Sequence, residues 1–190
     1  MLDLFRRRRD LTKPADDLYA SIVAQARAPV FFAGLGVPDS VLGRFEMVAL
    51  HAFLVFRRLR DAGAQGRALS QATHDVMFAE MDVGLRELGI GDMGVGKRVK
   101  SLARNLYGRI AAYETGLEGG GDMLAEALVR NVYATAPAPA AAQVATLADY
   151  LAREAAALRS QPDDELLAGR VRFGPPPATP AGAPVSEGVP

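Results

Sequence analysis

Ten residues near the middle of the chain carry glycine spacings that are typical of phosphate-binding loops. The stretch 89–98, GIGDMGVGKR, contains both GxGxxG and GxxxxGK. Such loops aim backbone N–H groups and the start of the next helix at phosphate oxygens, and they follow a β-strand. The residues before this stretch, DVGLREL, have a helical pattern instead, and Arg98 stands where a P-loop needs Ser or Thr for magnesium. The stretch is therefore predicted to be a turn between two helices, and no nucleotide cofactor is expected.

Two histidines, His51 and His74, are the other candidates for chemistry. A helical di-iron site needs Glu three residues before each histidine, but Val48 and Gln71 occupy those positions. His51 lies in an apolar helical pattern, which favours a histidine satisfied in a core or groove, with a single haem ligand as the alternative. The chain has no cysteine and no GxSxG motif. We therefore expect a protein that is not an enzyme and holds no metal or cofactor.

Basic side chains form three clusters. They comprise residues 6–9 with Lys13; Arg57, Arg58, Arg60 and Arg67; and Lys97, Arg98, Lys100, Arg104 and Arg109. Lys97, Lys100 and Arg104 lie opposite the apolar face of their helix, so they form either a solvated face or an electrostatic footprint for ribosomal RNA or anionic headgroups. Arg109 lies beside the apolar stripe, where a charge needs a partner, and we expect it to form a buried pair with a helix acid.

Composition limits the classes of protein that the chain can belong to. Its 190 residues are 49% hydrophobic, enough for one sizeable core, and 22 basic residues balance 22 acidic ones. Without a net charge, no specific DNA partner is expected. The densest apolar run, residues 47–56, has half the length of a membrane-spanning helix. No signal-peptide pattern follows residues 6–9. We expect a cytoplasmic protein, either soluble or attached only at a membrane surface.

Apolar spacing predicts six helices and no strand. The approximate ranges are 14–28, 40–61, 67–88, 95–117, 122–134 and 140–160. Pro14 is placed in the first turn of the first helix. The second helix is apolar on most sides, so it is either central in the domain or lines a groove. On the fourth helix, Gly108, Ala112 and Gly116 form a row of small residues that allows another helix to approach closely.

These elements predict an all-α fold with a single compact domain of about six helices. The helical domain is expected at residues 14–173, after a basic arm at residues 1–13. The composition of residues 174–190, rich in Pro, Ala and Gly, predicts a disordered tail.

Two stretches carry a resemblance to a known family. HAFLVFRRLRDAG begins at His51, and DVMFAEMDVGLRELGIGDMGVGKRVKSLARNLYGRIAAYE begins at Asp75. The chain resembles the ubiquinol-cytochrome c chaperone family, most sharply over residues 45–113 and with an extension to about residue 167. The resemblance implies a helical assembly factor that helps newly made cytochrome b enter the ubiquinol-cytochrome c reductase complex. Mitochondrial members work near the ribosome and inner membrane, at the matrix side. The Ala, Gly and Arg-rich sequence suggests a bacterial member, at the cytoplasmic face of the inner membrane.

The resemblance leads to a set of candidate binding residues. The candidates for contact with a client or partner are Phe53, Phe56, Met77, Phe78 and Met81, and those for a basic steering surface are Arg57, Arg58, Lys97, Lys100 and Arg104. The expected partners are cytochrome b or other assembly components of the complex, with contact to a ribosome or an anionic membrane surface. Two alternatives stay open at this point. One is a basic helical adaptor for RNA or membrane, and the other is a small haem- or metal-dependent enzyme.

Overall fold

The computed structural model describes residues 2–87, 92–120 and 122–181. Within these ranges, the side chains of residues 2–10, 92, 93, 95 and 97–100 lie outside the description. In the described ranges, the fold consists of seven α-helices and a π-helical turn at Val30–Gly34. The helices are α1 (Leu2–Ala26), α2 (Val41–Asp61), α3 (Gly63–Glu87), α4 (Asp92–Gly119), α5 (Asp122–Asn131), α6 (Ala141–Arg159) and α7 (Asp163–Leu167). The described residues contain no strand, which confirms the all-α prediction.

The first helix differs from its predicted bounds. It begins at Leu2, so Pro14 lies inside α1 and does not start it. A proline within a helix removes one backbone hydrogen bond, but the residues before it are compatible with a helix, and α1 continues through it. The predicted division at residue 13 between an arm and a domain stays a prediction. No helix in the described ranges is both long enough and apolar enough to cross a membrane.

Helix α2 lies at the centre of the fold, which is one of the two alternatives that its apolar pattern left open. Ser40 caps it by accepting a hydrogen bond from Gly43 N at 3.1 Å, and residues 49–55 are all buried. It contacts α1, α3, α4, α6 and α7. Two apolar clusters pack around it. One contains Phe31, Leu50, Phe53, Tyr113, Leu128, Leu147 and Leu151, and the other contains Leu18, Ile22, Phe45, Leu59, Leu69, Met77 and Leu106.

Helices α4 and α5 approach each other closely at one glycine. A Cβ atom on Gly116 would lie 2.8 Å from Leu124 Cα, which is too close for a side chain, whereas a Cβ on Gly108 would meet nothing within 4 Å. The predicted small-residue row therefore provides close contact at Gly116 but not at Gly108.

The C-terminal segment, residues 168–181, closes the fold without forming a helix. Phe173 packs against both apolar clusters. Gly174 N donates to Glu154 Oε2 at 2.8 Å, and Arg153 donates to the Pro175 carbonyl oxygen at 2.6 Å. The first part of the tail predicted from residue 174 is thus held against the helices, because buried Glu154 needs donors. The rest of that predicted tail, residues 182–190, lies outside the described residues.

Candidate client and partner sites

An apolar groove opens between the first four helices. We call it the α1–α4 groove, and its volume is about 360 Å³. Its lining residues are Tyr19, Arg27, Val41, Leu42, Arg44, Phe45, Val48, Met77, Glu80, Met81, Gly84, Leu85 and Leu102. The groove exists because α2 is apolar on more faces than its neighbours cover. One of those faces, at the start of α2, is left open to solvent.

The groove combines exposed apolar side chains with a sparse polar rim. Val41 is 54% exposed and Leu42 is 37% exposed, and both stand at the N-terminal end of α2. On the rim, Arg44 donates to Asp39 at 2.6 Å, and this hydrogen bond lowers the pKa of the Asp39 carboxyl group. Such a surface suits the apolar face of a helix or a few large side chains, since little polar surface has to lose water.

A second cavity, of about 320 Å³, lies where α2, α3 and α4 meet. We call it the arginine cavity. Its lining residues are Phe53, Phe56, Arg57, Arg60, Arg67, Ser70, Gln71, His74, Tyr107, Ile110 and Glu114. Arg57 donates to Glu114 Oε1 at 2.9 Å and Arg60 to the same oxygen at 3.2 Å. Burial raises the pKa of Glu114, but the hydrogen bonds from Arg60 and Arg57 outweigh it and hold that pKa below its ordinary value.

The five apolar candidates for client contact lie at different places in the fold, and the structure contradicts two of them. Phe53 and Met77 are buried in the two apolar clusters, so neither offers a side chain to a partner. Met81 is half-buried in the α1–α4 groove, and Phe56 is half-buried at the arginine cavity. Phe78 packs against the His74 ring, with centroids 4.7 Å apart. Helical spacing could not separate these residues, because the neighbouring helices decide which face is covered.

The candidate basic surface is also divided. Arg58 was predicted to face solvent, but it is buried and donates to the carbonyl oxygens of Leu158 at 3.0 Å and Gln161 at 2.6 Å, as well as to Asp163. It points inward because the C-terminal end of α6 offers carbonyl oxygens that need donors. Arg57 is largely buried against Glu114, and Arg104 is exposed. The side chains of Lys97 and Lys100 lie outside the described residues, as do residues 88–91, which include the start of the predicted turn.

Arg109 and Glu46 form an ion pair that joins α4 to α2. Arg109 Nε donates to Glu46 Oε2 at 2.5 Å, and a second guanidinium nitrogen donates to Oε1. Both side chains are largely buried, and the guanidinium carbon lies 5.7 Å from the ring centroid of Phe45. Burial raises the pKa of Glu46, although the hydrogen bonds from Arg109 act in the opposite direction. This is the kind of partner that a charge beside an apolar stripe requires.

His51 is fully buried and both of its ring nitrogens are engaged. Nδ1 lies 2.7 Å from the Met47 carbonyl oxygen, so it carries the proton. Nε2 therefore accepts from the Tyr150 hydroxyl at 2.8 Å, and that hydroxyl accepts from Gln25 Nε2 at 2.9 Å. This arrangement leaves no lone pair for haem or a metal. Sequence reasoning missed Tyr150 and Gln25, because no local pattern connects either residue to His51.

These features define a class of protein. The fold is a helical domain with an apolar groove, a separate cationic cavity and histidines placed for packing. In the described residues, no group of three or more His, Cys, Asp or Glu side chains could hold a metal ion. Helix α3 ends at Glu87 and helix α4 begins at Asp92, so residues 92–98 of the stretch that was predicted to be a turn are helical instead. A helix also precedes this stretch, so the residues described there contain no strand of the kind that a phosphate loop needs. The described residues therefore form an all-helical domain that carries an apolar groove and a separate cavity.

Comparison with known proteins identifies the family. The model of the ubiquinol-cytochrome C chaperone family matches residues 33–173, and the chain belongs to this family. It is similar to the crystal structure of the Cbp3 homolog from Brucella abortus, with a TM-score of 0.77 and 39% identity, covering 92% of this chain and 96% of that one.

Two curated relatives are more distant. The chain is 24% identical over 159 residues to ubiquinol-cytochrome c reductase complex assembly factor 1 of Mus musculus, and 23% identical over 115 residues to that of Xenopus laevis. The matches cover 83% and 60% of this chain. The matched regions cover 54% and 58% of the length of those relatives, so this chain spans just over half of each of them.

Proposed function

We propose that the protein is a non-catalytic chaperone in the assembly of ubiquinol-cytochrome c reductase, and that its α1–α4 groove holds an apolar segment of newly made cytochrome b. The observation that carries the proposal is the groove itself. Apolar residues of α2 stand open to solvent at Val41 and Leu42, whereas most other large apolar side chains among the described residues are at least partly buried. Family membership supports the assembly role, and the names of the curated relatives state that role for them.

The chemistry of the groove fits this client. A cytochrome b segment before membrane insertion exposes apolar helix faces that would aggregate in water. Met81, which is half-buried in the groove, supplies a flexible, polarisable contact that adapts to different apolar shapes. Arg27 at the rim is a cation that the anionic headgroups of a nearby membrane would attract. We accordingly place the protein at the cytoplasmic face of the inner membrane, as a peripheral component.

The test uses cells that lack the gene and are complemented with variants. Val41→Asp and Leu42→Asp put charge into the groove at exposed positions, so the fold should be retained. We expect them to lower the amount of assembled complex and of cytochrome b several-fold at equal chaperone levels. Val129→Asp on α5 is the matched control, because Val129 is 41% exposed and does not line the groove. Normal cytochrome b and normal complex in the groove variants would reject the proposal.

A further inference from the structure

The arginine cavity is a second surface, separate from the α1–α4 groove. The two share no lining residue. Nothing in the function proposed above uses this cavity, so an inference about it stands on its own observations.

Positive charge exceeds negative charge at the cavity. Arg57, Arg60 and Arg67 line it, and Glu114 is the one carboxylate among its lining residues. Glu114 pairs with Arg57 and Arg60, whereas Arg67 is exposed and contacts no described residue through a hydrogen bond or ion pair. Arg60 is itself 57% exposed, so its pairing with Glu114 is open to water and weak. Two guanidinium groups are therefore available to an incoming anion.

The walls between these charges are apolar and aromatic. Tyr107 is 61% exposed, and Phe56 and Ile110 are half-buried beside it. His74 Nε2 is buried and has no hydrogen-bond partner among the described residues. Exposed Tyr and Arg around an apolar hollow are the residue types that contribute most to protein–protein binding.

We propose that the arginine cavity receives an acidic segment of a protein partner. An apolar side chain of that segment packs against Phe56, Tyr107 and Ile110, and flanking Asp or Glu carboxylates pair with Arg60 and Arg67. Charge complementarity favours this occupant over a phosphate of lipid or RNA. The Glu114 carboxylate inside the cavity repels a doubly charged or clustered phosphate more strongly than single carboxylates placed at the rim. RNA would also need a longer basic stripe than this cavity provides.

Photo-cross-linking in living cells tests the proposal. p-Benzoylphenylalanine replaces Tyr107 in the full chain, and the adducts are identified by mass spectrometry. The same probe at Val129 on α5 is the control position. We expect a protein adduct at position 107 whose cross-linked peptide carries Asp or Glu beside an apolar residue. Arg67→Glu should lower the yield of this adduct about tenfold, because it reverses a rim charge. Arg159→Glu, at an exposed α6 position outside the cavity, should leave it unchanged.

A charge swap completes the test. The cross-linked segment is synthesised as a peptide, and its acidic residues are replaced by Lys in a second version. The acidic peptide should bind the wild-type chain and the Lys version should bind the Arg67→Glu variant, each about tenfold better than in the crossed combinations. Adducts with lipid or RNA alone, no adduct, a peptide without acidic residues, or an adduct indifferent to Arg67→Glu would overturn the proposal. Val41→Asp should not change the adduct, so failure here is distinguishable from failure of the groove function.

Discussion

The Tyr150 hydroxyl lies 2.8 Å from His51 Nε2 and donates its hydrogen to it. The donor role follows because the other ring nitrogen donates to the Met47 carbonyl oxygen. Phe31, Tyr150 and Phe173 pack around the ring, with centroids 5.5, 5.7 and 5.5 Å away. One residue from α2 is thereby tied to α6, to the C-terminal segment and, through Gln25, to α1.

This environment makes stability depend on pH. Burial lowers the pKa of His51 from 6.5 to about 4, while the backbone hydrogen bond to Met47 acts weakly in the opposite direction. Between these values the unfolded chain binds more protons at this site than the folded one. The contribution of His51 to the free energy of unfolding is therefore fully present above pH 6.5. It falls by roughly 3 kcal/mol as the pH decreases to 4. Urea unfolding of the wild type and of His51→Gln between pH 4 and pH 6.5 measures this pH dependence. A constant difference between the two proteins would contradict the prediction.

Arg109→Met should destabilise the fold by about 3–5 kcal/mol, because it leaves the buried Glu46 carboxylate without its partner. The double variant Glu46→Gln/Arg109→Met should lose clearly less, since no buried charge remains. Lys13→Met, which removes an exposed pair with Asp17, serves as the control and should change stability by less than about 0.5 kcal/mol. Denaturant unfolding of the wild type, Glu46→Gln, Arg109→Met and the double variant gives the coupling energy between the two residues. Additive single effects at Glu46 and Arg109 would show that the pair is not coupled.

Two glycines of α4 should respond to alanine with opposite signs. Gly116→Ala places a methyl group against the backbone of α5 at Leu124, and the overpacking should cost about 1–3 kcal/mol. Gly108→Ala meets nothing and should stabilise the helix by about 0.5–1 kcal/mol. Thermal melting of both variants and of the wild type measures the sign of each effect. Equal shifts in the two melting temperatures would mean that α4 and α5 do not touch at Gly116.

Arg58→Lys should destabilise the protein by about 1–3 kcal/mol although it keeps the charge. An ammonium group cannot reproduce the fork of donors that reaches the carbonyl oxygens of Leu158 and Gln161. Arg159→Lys on the exposed side of α6 is the control and should be neutral within about 0.5 kcal/mol. If the Arg58→Lys protein were as stable as the wild type, the buried hydrogen bonds of Arg58 would not contribute to stability, and the prediction would be wrong.

Local features of the fold could be predicted from sequence, and the pairings between distant residues could not. The apolar spacing of α2 allowed either a central or a groove-lining position, and the structure shows both. Its predicted start at residue 40 agrees with the cap formed by Ser40. The need of Arg109 for a partner is visible in the α4 pattern, but Glu46 lies 63 residues earlier and nothing local points to it. Arg58 points inward because it donates to carbonyl oxygens at the C-terminal end of α6. That end lies about 100 residues further along the chain, so only the packed structure shows the contact. The five-residue helix α7 is too short for a periodic signal.

The C-terminal segment also sets an order of events during synthesis. Residues 168–181 leave the ribosome after the helices, and until they arrive the ring of His51 lacks Phe173, Glu154 lacks the Gly174 amide and Gln25 lacks the Gly174 carbonyl oxygen. During synthesis the helices can therefore pack together, but the contacts that involve residues 168–181 form only afterwards. The packing of this domain is complete only when residues 168–181 reach back to α1, which precedes α2–α7 in the chain.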